Sequence, residues 1–373
     1  MSLLNQTKIA FQERSMLQFI ARRLLLLIPV LIGIMLVTFV IVRAIPGDPC
    51  VVMLGEKATK EKCDAFKERY GLNDNMLVQF GRYAVNMAQG DLGTSIRFTR
   101  PVADIVAERL PLTIELTLVA MIFSSAFGIL LGVISALRRN SIVDTITMLI
   151  ANIGVSMPVF WLGLMLAYIF ALVLKGTPFT LPPSGRLTSG LQLVSLAELW
   201  GIKDPQGFQK FILTLLSNSL LVNTLATGNW KIFWDGIRHL ILPAIAVGTI
   251  PMSIIARMTR SSLLEVLGLD YIRTARAKGL IARKVITRHA MRNAMIPIVT
   301  IIGIETGSLL SGAVLTETVF VLPGVGTMLV QSILARDYPV VQGFTLLIAV
   351  IFIVVNLLVD LSYAYLDPRI RLD

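Results

Sequence analysis

The sequence predicts an all-α membrane protein with six transmembrane helices and polar inserts on one face. Three observations carry that expectation. Mean hydropathy is +0.76 and only 15% of the 373 residues are charged, too few to cover a soluble surface of this length. Apolar runs of about 20 residues, enough to cross a hydrocarbon core of about 30 Å, recur along the chain. The net charge of +11 sits at the ends of those runs, which fits loops beside a lipid surface and argues against nucleic acid as a partner.

The first span is 24–45, with Leu24–Val42 as its apolar stretch, behind a basic tail, 1–23. Its length, and Arg43 following it, read as an uncleaved helix and not a signal peptide. A polar insert, 46–110, opens on the turn PGDP. Its stretches EKCDAFKERYGL and VQFGRYAVNMAQG read as short helices separated by glycine. Both cysteines of the chain, Cys50 and Cys63, lie in it. In an oxidising compartment a bridge between them would close a short loop, worth ~3 kcal/mol in the chain-entropy model. The other reading is two unpaired thiols in a small core.

The remainder, 111–365, holds the other five spans: Leu112–Leu137, Ile142–Leu174, Leu240–Met258, Ala294–Val314 and Gly343–Tyr365. The run Ile142–Leu174 is long for one crossing, and Pro158 is expected to kink it. An external insert, 175–239, is rich in turn formers. Within it Phe211–Ala226 carries Ser217, Asn218, Ser219, Asn223 and Thr224, each costly in hydrocarbon. It reads as an amphipathic external helix and not a seventh crossing. The external segment 315–342 carries LPGVG, after which Val325, Met328, Leu329 and Ile333 follow helical spacing. Two readings stand there: a half-helix over the mouth of a pathway, or a helix resting at the interface. A short tail, 366–373, closes the chain. Pairs spaced as GxxxG, Gly128/Gly132 and Gly303/Gly307, suit close helix contact. Ionisable groups in apolar spans are expensive. Glu305, mid-span, either faces a pathway or packs against a partner helix, while Glu115 and Asp360 lie nearer span ends and read as structural.

Lys and Arg accumulate on the cytoplasmic side of short loops. With the N-terminus inside, the inner segments are 1–23, 138–141, 259–293 and 366–373. They carry Lys8, Arg14, Arg22 and Arg23, then Arg138 and Arg139, then the densest cluster, then Arg369 and Arg371. Six crossings therefore place both termini in the cytoplasm. Chemistry of the bond-making kind has no visible seat. There is no GxxxxGK[ST] loop, HExxH, CxxC or GxSxG, and His239 and His289 fall on opposite sides of the membrane, so neither a catalytic nor a metal site is expected.

The densest cluster is YIRTARAKGLIARKVITRHAMRNA, Tyr271 to Ala294. Between Asp270 and Glu305 it has no acidic residue. It can hold topology, bind anionic lipid, or dock a soluble partner. The local pattern favours docking. Asp270 suits a helix start, Ile272 and Ala275 share one side, and Gly279 supplies a left-handed stop. Small residues Thr274, Ala275 and Ala277 allow close approach of another surface. A lipid-bound helix would instead carry bulky apolar residues along one face, which are missing here.

This stretch resembles the cytoplasmic EAA loop of permease subunits in binding-protein-dependent ABC importers. In the general motif the chain offers Arg273, Thr274, Ala275 and Gly279, with arginine in place of the glutamate, and His289 to Arg292 in place of I-x-L-P. Those departures are similar to the peptide-importer branch, Y-x-x-T-A-x-A-K-G-L followed by R-H-A-x-R-N-A, here Tyr271–Leu280 and Arg288–Ala294. PGDP, GDLGTS at 90–95, MPVFW at 157–161, SGR at 184–186, HLILPA at 239–244, LTETVF at 315–320, DYPVVQG at 337–343 and DPRIR at 367–371 resemble the same branch.

The resemblance implies a six-helix type I ABC importer permease fold with periplasmic inserts, in the inner membrane. It implies a second homologous permease, two cytoplasmic ATPases and an external substrate-binding protein as partners. This chain would bind no cofactor, with ATP and Mg on the ATPases. The coupling loop would comprise Tyr271, Arg273, Thr274, Ala275, Lys278, Gly279, Arg288, His289 and Arg292. Dipeptides or oligopeptides are the implied cargo, nickel chelates or haem the cargo of similar relatives. A secondary transporter or channel that uses Glu305 for ion coupling is the competing class.

Overall fold

The structure, a computed structural model, describes residues 2–44, 48, 50–51, 58–69 and 71–366. Side chains are described from Arg22 onward, those of Leu24, Arg69, 311–312 and 359–366 excepted. The PGDP turn apart from Asp48, the side chain of Asp360 and the tail beyond Leu366 fall outside that set.

Helices dominate. The first, α1, runs Ser2–Ala44, and the 46–110 insert contributes α2, Lys60–Arg69, and α3, Met76–Ala88. Cys50 and Cys63 are joined by a disulfide, their Cα atoms 5.4 Å apart, which ties the chain after α1 to α2. Next come α4, Val102–Leu137, α5, Ile142–Ser156, and α6, Val159–Ala167, which continues through a π-helical turn, Tyr168–Val173. Two short helices, α7 (Gly207–Ser217) and α8 (Leu220–Thr227), precede the long α9, Trp230–Leu267. Beyond it lie α10, Asp270–Ala277, then α11, Met291–Gly312, α12, Val314–Val319, α13, Val325–Ala335, and α14, Tyr338–Leu366.

Among the described residues five helices are long and apolar enough to cross a membrane, or six when the bent pair α5–α6 is counted as one span. Several overrun their expected limits. α4 starts at Val102 and not Leu112, α9 at Trp230 and not Leu240, and α14 at Tyr338 and not Gly343. At 38 residues α9 is about 57 Å long, well beyond a core of about 30 Å. The extra turns are buried against the inserts. Val102, Ile105, Val106 and Leu110 of α4 pack with Val325 and Met328 of α13 and Val340 and Phe344 of α14. Apolar periodicity continues past the bilayer because protein, not lipid, covers it there.

The expected kink at Pro158 is a break. Met157 is extended, as a residue before proline prefers, and the two halves meet at 103°. The stretch expected as one helix over 211–226 is two. α7 ends at Asn218 and Ser219 caps α8, accepting from Val222 N, so each piece is too short to span.

α9 is the axis of the bundle, lying mainly against α4. Glycine makes that closeness possible: a Cβ on Gly128 would lie 2.7 Å from the Met252 carbonyl, and one on Gly132 2.5 Å from Thr259 Cβ. Ser124 Oγ donates across the same seam to the Gly248 carbonyl at 2.7 Å. By contrast α1, α5 and α6 present exposed Leu25, Leu26, Val37, Ile146, Leu149, Leu164 and others outward, as helices facing lipid or another subunit do.

Loops sort onto two ends. At one, Asp337 accepts from Ser95 Oγ (2.5 Å), Ile96 N and Arg97 N (both 3.1 Å), joining GDLGTS to DYPVVQG. Lys210 pairs with Asp104 at 2.5 Å and Arg186 with Glu115 at 3.0 Å, which fixes the 175–239 insert to the same end of α4. At the opposite end the 138–141 turn meets α9 near the basic loop.

Candidate functional site

The basic loop is built in three steps. α10 begins one residue earlier than a cap at Asp270 would place it: Leu269 is the cap, with no side-chain bond, and Asp270 is the first helical residue, its carboxylate near the positive helix end. Ile272, fully buried, and Ala275 face inward onto the core that includes Val285 and Ala290. Ala275 is therefore used for packing inside this chain. Gly279, at φ +74°, turns the chain, and the Gly279 and Leu280 N–H groups close on the Arg276 and Ala275 carbonyls at 2.9 and 3.4 Å. Left-handed backbone of this kind strongly favours glycine.

After one turn at Ala282–Lys284 and a π-helical turn, Val285–Ala290, the chain enters α11. Tyr271 clips the two arms together. Its hydroxyl donates to the His289 carbonyl at 3.3 Å and accepts from Asn293 Nδ2 at 2.7 Å. Arg273, Arg276, Lys278, Arg283, Lys284, Arg288 and Arg292 are all exposed, as is Thr274, while His289 is half-buried. Arg273 meets Asp270 at 3.3 Å, a pair so exposed that solvent screens it. The geometry is a rigid helical knuckle held by an apolar face inside and offering an uncompensated cationic face outside.

Beneath the knuckle lies an ion pair that composition did not flag. Asp144, at the start of α5, receives both Arg260 Nε (2.9 Å) and Nη2 (2.8 Å) from α9, together with the Asn140 N–H (3.0 Å) and the Ser135 hydroxyl. A bidentate fork of this sort fixes orientation as well as distance. It locks the turn between α4 and α5 to the segment of α9 that leads into the loop.

A second buried carboxylate, Glu317 of α12, closes the opposite end. Fully buried, it accepts from Thr113 Oγ1 of α4 at 2.7 Å and from Thr327 N at 2.9 Å, while Thr113 Oγ1 accepts from Val325 N at 2.9 Å. Burial pushes its carboxyl above the ordinary range, against the pull of those donors. A Cβ on Gly324 would sit 2.3 Å from Glu317 Oε1, so the glycine of LPGVG leaves room for the carboxylate. α13 is thereby packed into the protein at Val325 and Met328 rather than lying free at an interface. Glu115 is structural as well, holding Arg186 and the Leu220 N–H.

Glu305 stands apart from these. It is half-buried on α11 and has no hydrogen-bond or ion-pair partner among the described residues. The sequence-derived residues thus fall into three places, the knuckle at one end, Glu305 within the span, and Cys50 and Cys63 at the far end. No cluster of three metal-ligating side chains exists among the described residues.

Residues 128–372 match the family described as binding-protein-dependent transport system inner membrane component, and residues 16–117 match its N-terminal membrane component. Similar curated proteins include a dipeptide transport system permease of Alkalihalophilus pseudofirmus, 47% identical over 95% of this chain and 100% of the relative. A di/tripeptide transport system permease of Pseudomonas aeruginosa is 46% identical over 95% of this chain and 99% of the relative. An oligopeptide transport system permease of Bacillus subtilis is 39% identical over 95% and 100%.

Proposed function

We infer the function from the premise that this chain belongs to the binding-protein-dependent transport system inner membrane components: it is the transmembrane permease subunit of an ATP-driven peptide importer. It is a membrane subunit without catalysis of its own, and its partners are a second permease, an ATPase and a substrate-binding protein. The finer assignment is our proposal. Dipeptides and oligopeptides are the cargo, the second permease is a homologue that completes the pathway, and two ATPases carry ATP and Mg on the cytoplasmic side. Both termini lie in the cytoplasm.

One observation carries the coupling role: the knuckle at Tyr271–Ala294 is ordered by its own core yet keeps its cationic face, the solvent-screened Arg273–Asp270 contact apart, without an ion-pair partner among the described residues. An element that only held topology would need charge but no such framework. In the proposed cycle the ATPases grip this face, and their closure moves α9 and α11 together, since α10 joins them and Tyr271 clips the joint. The Asp144–Arg260 fork passes the movement to α4 and α5. Alternating access follows at the interface of the two permeases, with Glu305 facing the pathway. The external end, pinned by Glu317 and Asp337, receives the binding protein.

The test is uptake of a labelled dipeptide into vesicles holding the complete transporter. Uptake is expected to require ATP inside, to survive collapse of the ion gradients, and to be competed by peptides but not by nickel chelates or haem. Uptake that follows an ion gradient without ATP would sink the coupling role. Competition by a chelate or haem alone would move the cargo assignment and leave the coupling standing.

A further inference from the structure

A cavity of about 160 Å³ lies at the external end, where the last turn of α1 meets α3 and the start of α14. It plays no part in the function derived above. Two of its lining groups are buried donors without partners: Tyr83 Oη, on a residue 9% exposed, and Gln342 Nε2, on a residue 6% exposed. Stranding such groups away from water is costly unless something bonds them. The third is Arg43. Its Nε and Nη2 donate to Gln79 Oε1 at 3.1 and 2.8 Å, and its guanidinium lies 3.5 Å over the Phe39 ring. Among the described residues no carboxylate comes within ion-pair distance of it.

The carboxylates nearby each have a partner already. Asp74 is paired with Arg82 at 2.8 Å, and Asp91, exposed at the rim, takes the Gly93 N–H at 2.8 Å. Burial pushes the Tyr83 phenol up to about 12, so it stays an O–H donor at any working pH. Three donors lining one cavity, one of them a guanidinium, suit an oxyanion, and charge-assisted bonds of this kind are the strong ones. The position suits it too. Arg43 ends a spanning helix whose Leu36, Val37, Val40 and Ile41 are exposed, so apolar surface leads from the bilayer to the cavity.

We propose that this cavity is a phosphate site, in which Arg43, Tyr83 and Gln342 donate to the oxygens of a phospholipid headgroup or of free phosphate. A bound phosphate would tie α1 to the insert and to α14, a link independent of the peptide pathway.

The test uses the full chain in neutral detergent, with the unfolding midpoint read against added ligand. Inorganic phosphate is one arm. Mixed micelles with dioleoyl phosphatidylglycerol or with dioleoylglycerol, which lacks the phosphate, are the other. Stabilisation by phosphatidylglycerol but not by dioleoylglycerol supports the site and makes lipid its source; stabilisation by inorganic phosphate alone supports it with a free anion as the source. Arg43→Gln abolishes the effect but also loses the Gln79 bonds. Tyr83→Phe keeps the ring packing against Phe39 and weakens binding roughly tenfold, the worth of one hydrogen bond to a charged group. If neither phosphate source shifts the midpoint, or if Tyr83→Phe binds as tightly as the native chain, the cavity holds only water and the proposal falls.

Discussion

Peptide uptake is expected to collapse in Gly279→Val while the subunit stays at its normal level in the membrane. Position 279 needs φ +74°, and nothing lies within 4 Å of where its Cβ would be. The penalty is therefore one of backbone, not of space. A left-handed residue other than glycine costs about 1–2 kcal/mol, more when β-branched. Imposed at the stop of α10, that strain is relieved by unwinding the last turn, which swings Arg276 and Lys278 out of register with the surface they meet. A loss of 1–2 kcal/mol corresponds to a factor of roughly 5–30 in an equilibrium, so uptake and ATPase retention should fall by at least that factor. Gly279→Asn, whose side chain tolerates left-handed backbone, should recover much of it. Equal uptake by Val and Asn variants would show that the loop geometry is not read by a partner.

Glu317→Ala is expected to be the most damaging single change to stability at the end of the bundle opposite the knuckle. It strands Thr113 Oγ1 and the Thr327 N–H in a dry site, at about 1–3 kcal/mol each, and leaves a cavity beside Gly324. A total of about 3 kcal/mol or more should appear as a lowered unfolding midpoint and new protease cleavage near 318–326. The carboxyl also gives a pH signature. Its folded pKa is raised above its unfolded value, so in the interval between the two the native state holds more protons than the unfolded one. Stability contributed by this group is thus fully present below the unfolded pKa and is lost as pH rises through the folded one. Glu317→Gln removes that slope, though it costs about 1–3 kcal/mol by turning a donor toward backbone N–H groups. An unchanged pH slope in Glu317→Gln would assign the titration to another group.

The chain's hydropathy showed six apolar stretches because lipid demands about 20 uninterrupted apolar residues, and the basic knuckle stood out because so many cations without acids are rare in such a chain. What stayed hidden depends on contacts far apart in sequence. Asp144 and Glu317 lie in short polar runs at helix ends, where a carboxylate ordinarily meets water. Their importance comes from Arg260 and Thr113, 116 and 204 residues away. The true starts of α4, α9 and α14 were equally hidden, since an amphipathic turn buried against an insert reads the same as one facing solvent. At Pro158 the sequence signalled a disturbance but not its size, because the angle is set by what α5 and α6 pack against. Asp270 was legible from its own chemistry, an acidic residue that favours a helix start, and it opens α10 with Leu269 in the cap position.

The coupling role requires the knuckle to be inside the cell, where a nucleotide-driven partner can hold it. Both native cysteines are joined to each other, so Lys278→Cys introduces the chain's single free thiol at an exposed site. A membrane-impermeant maleimide added to intact cells should leave that thiol unlabelled, and should label it once the membrane is permeabilised. Labelling from outside intact cells would contradict the orientation and the coupling role with it.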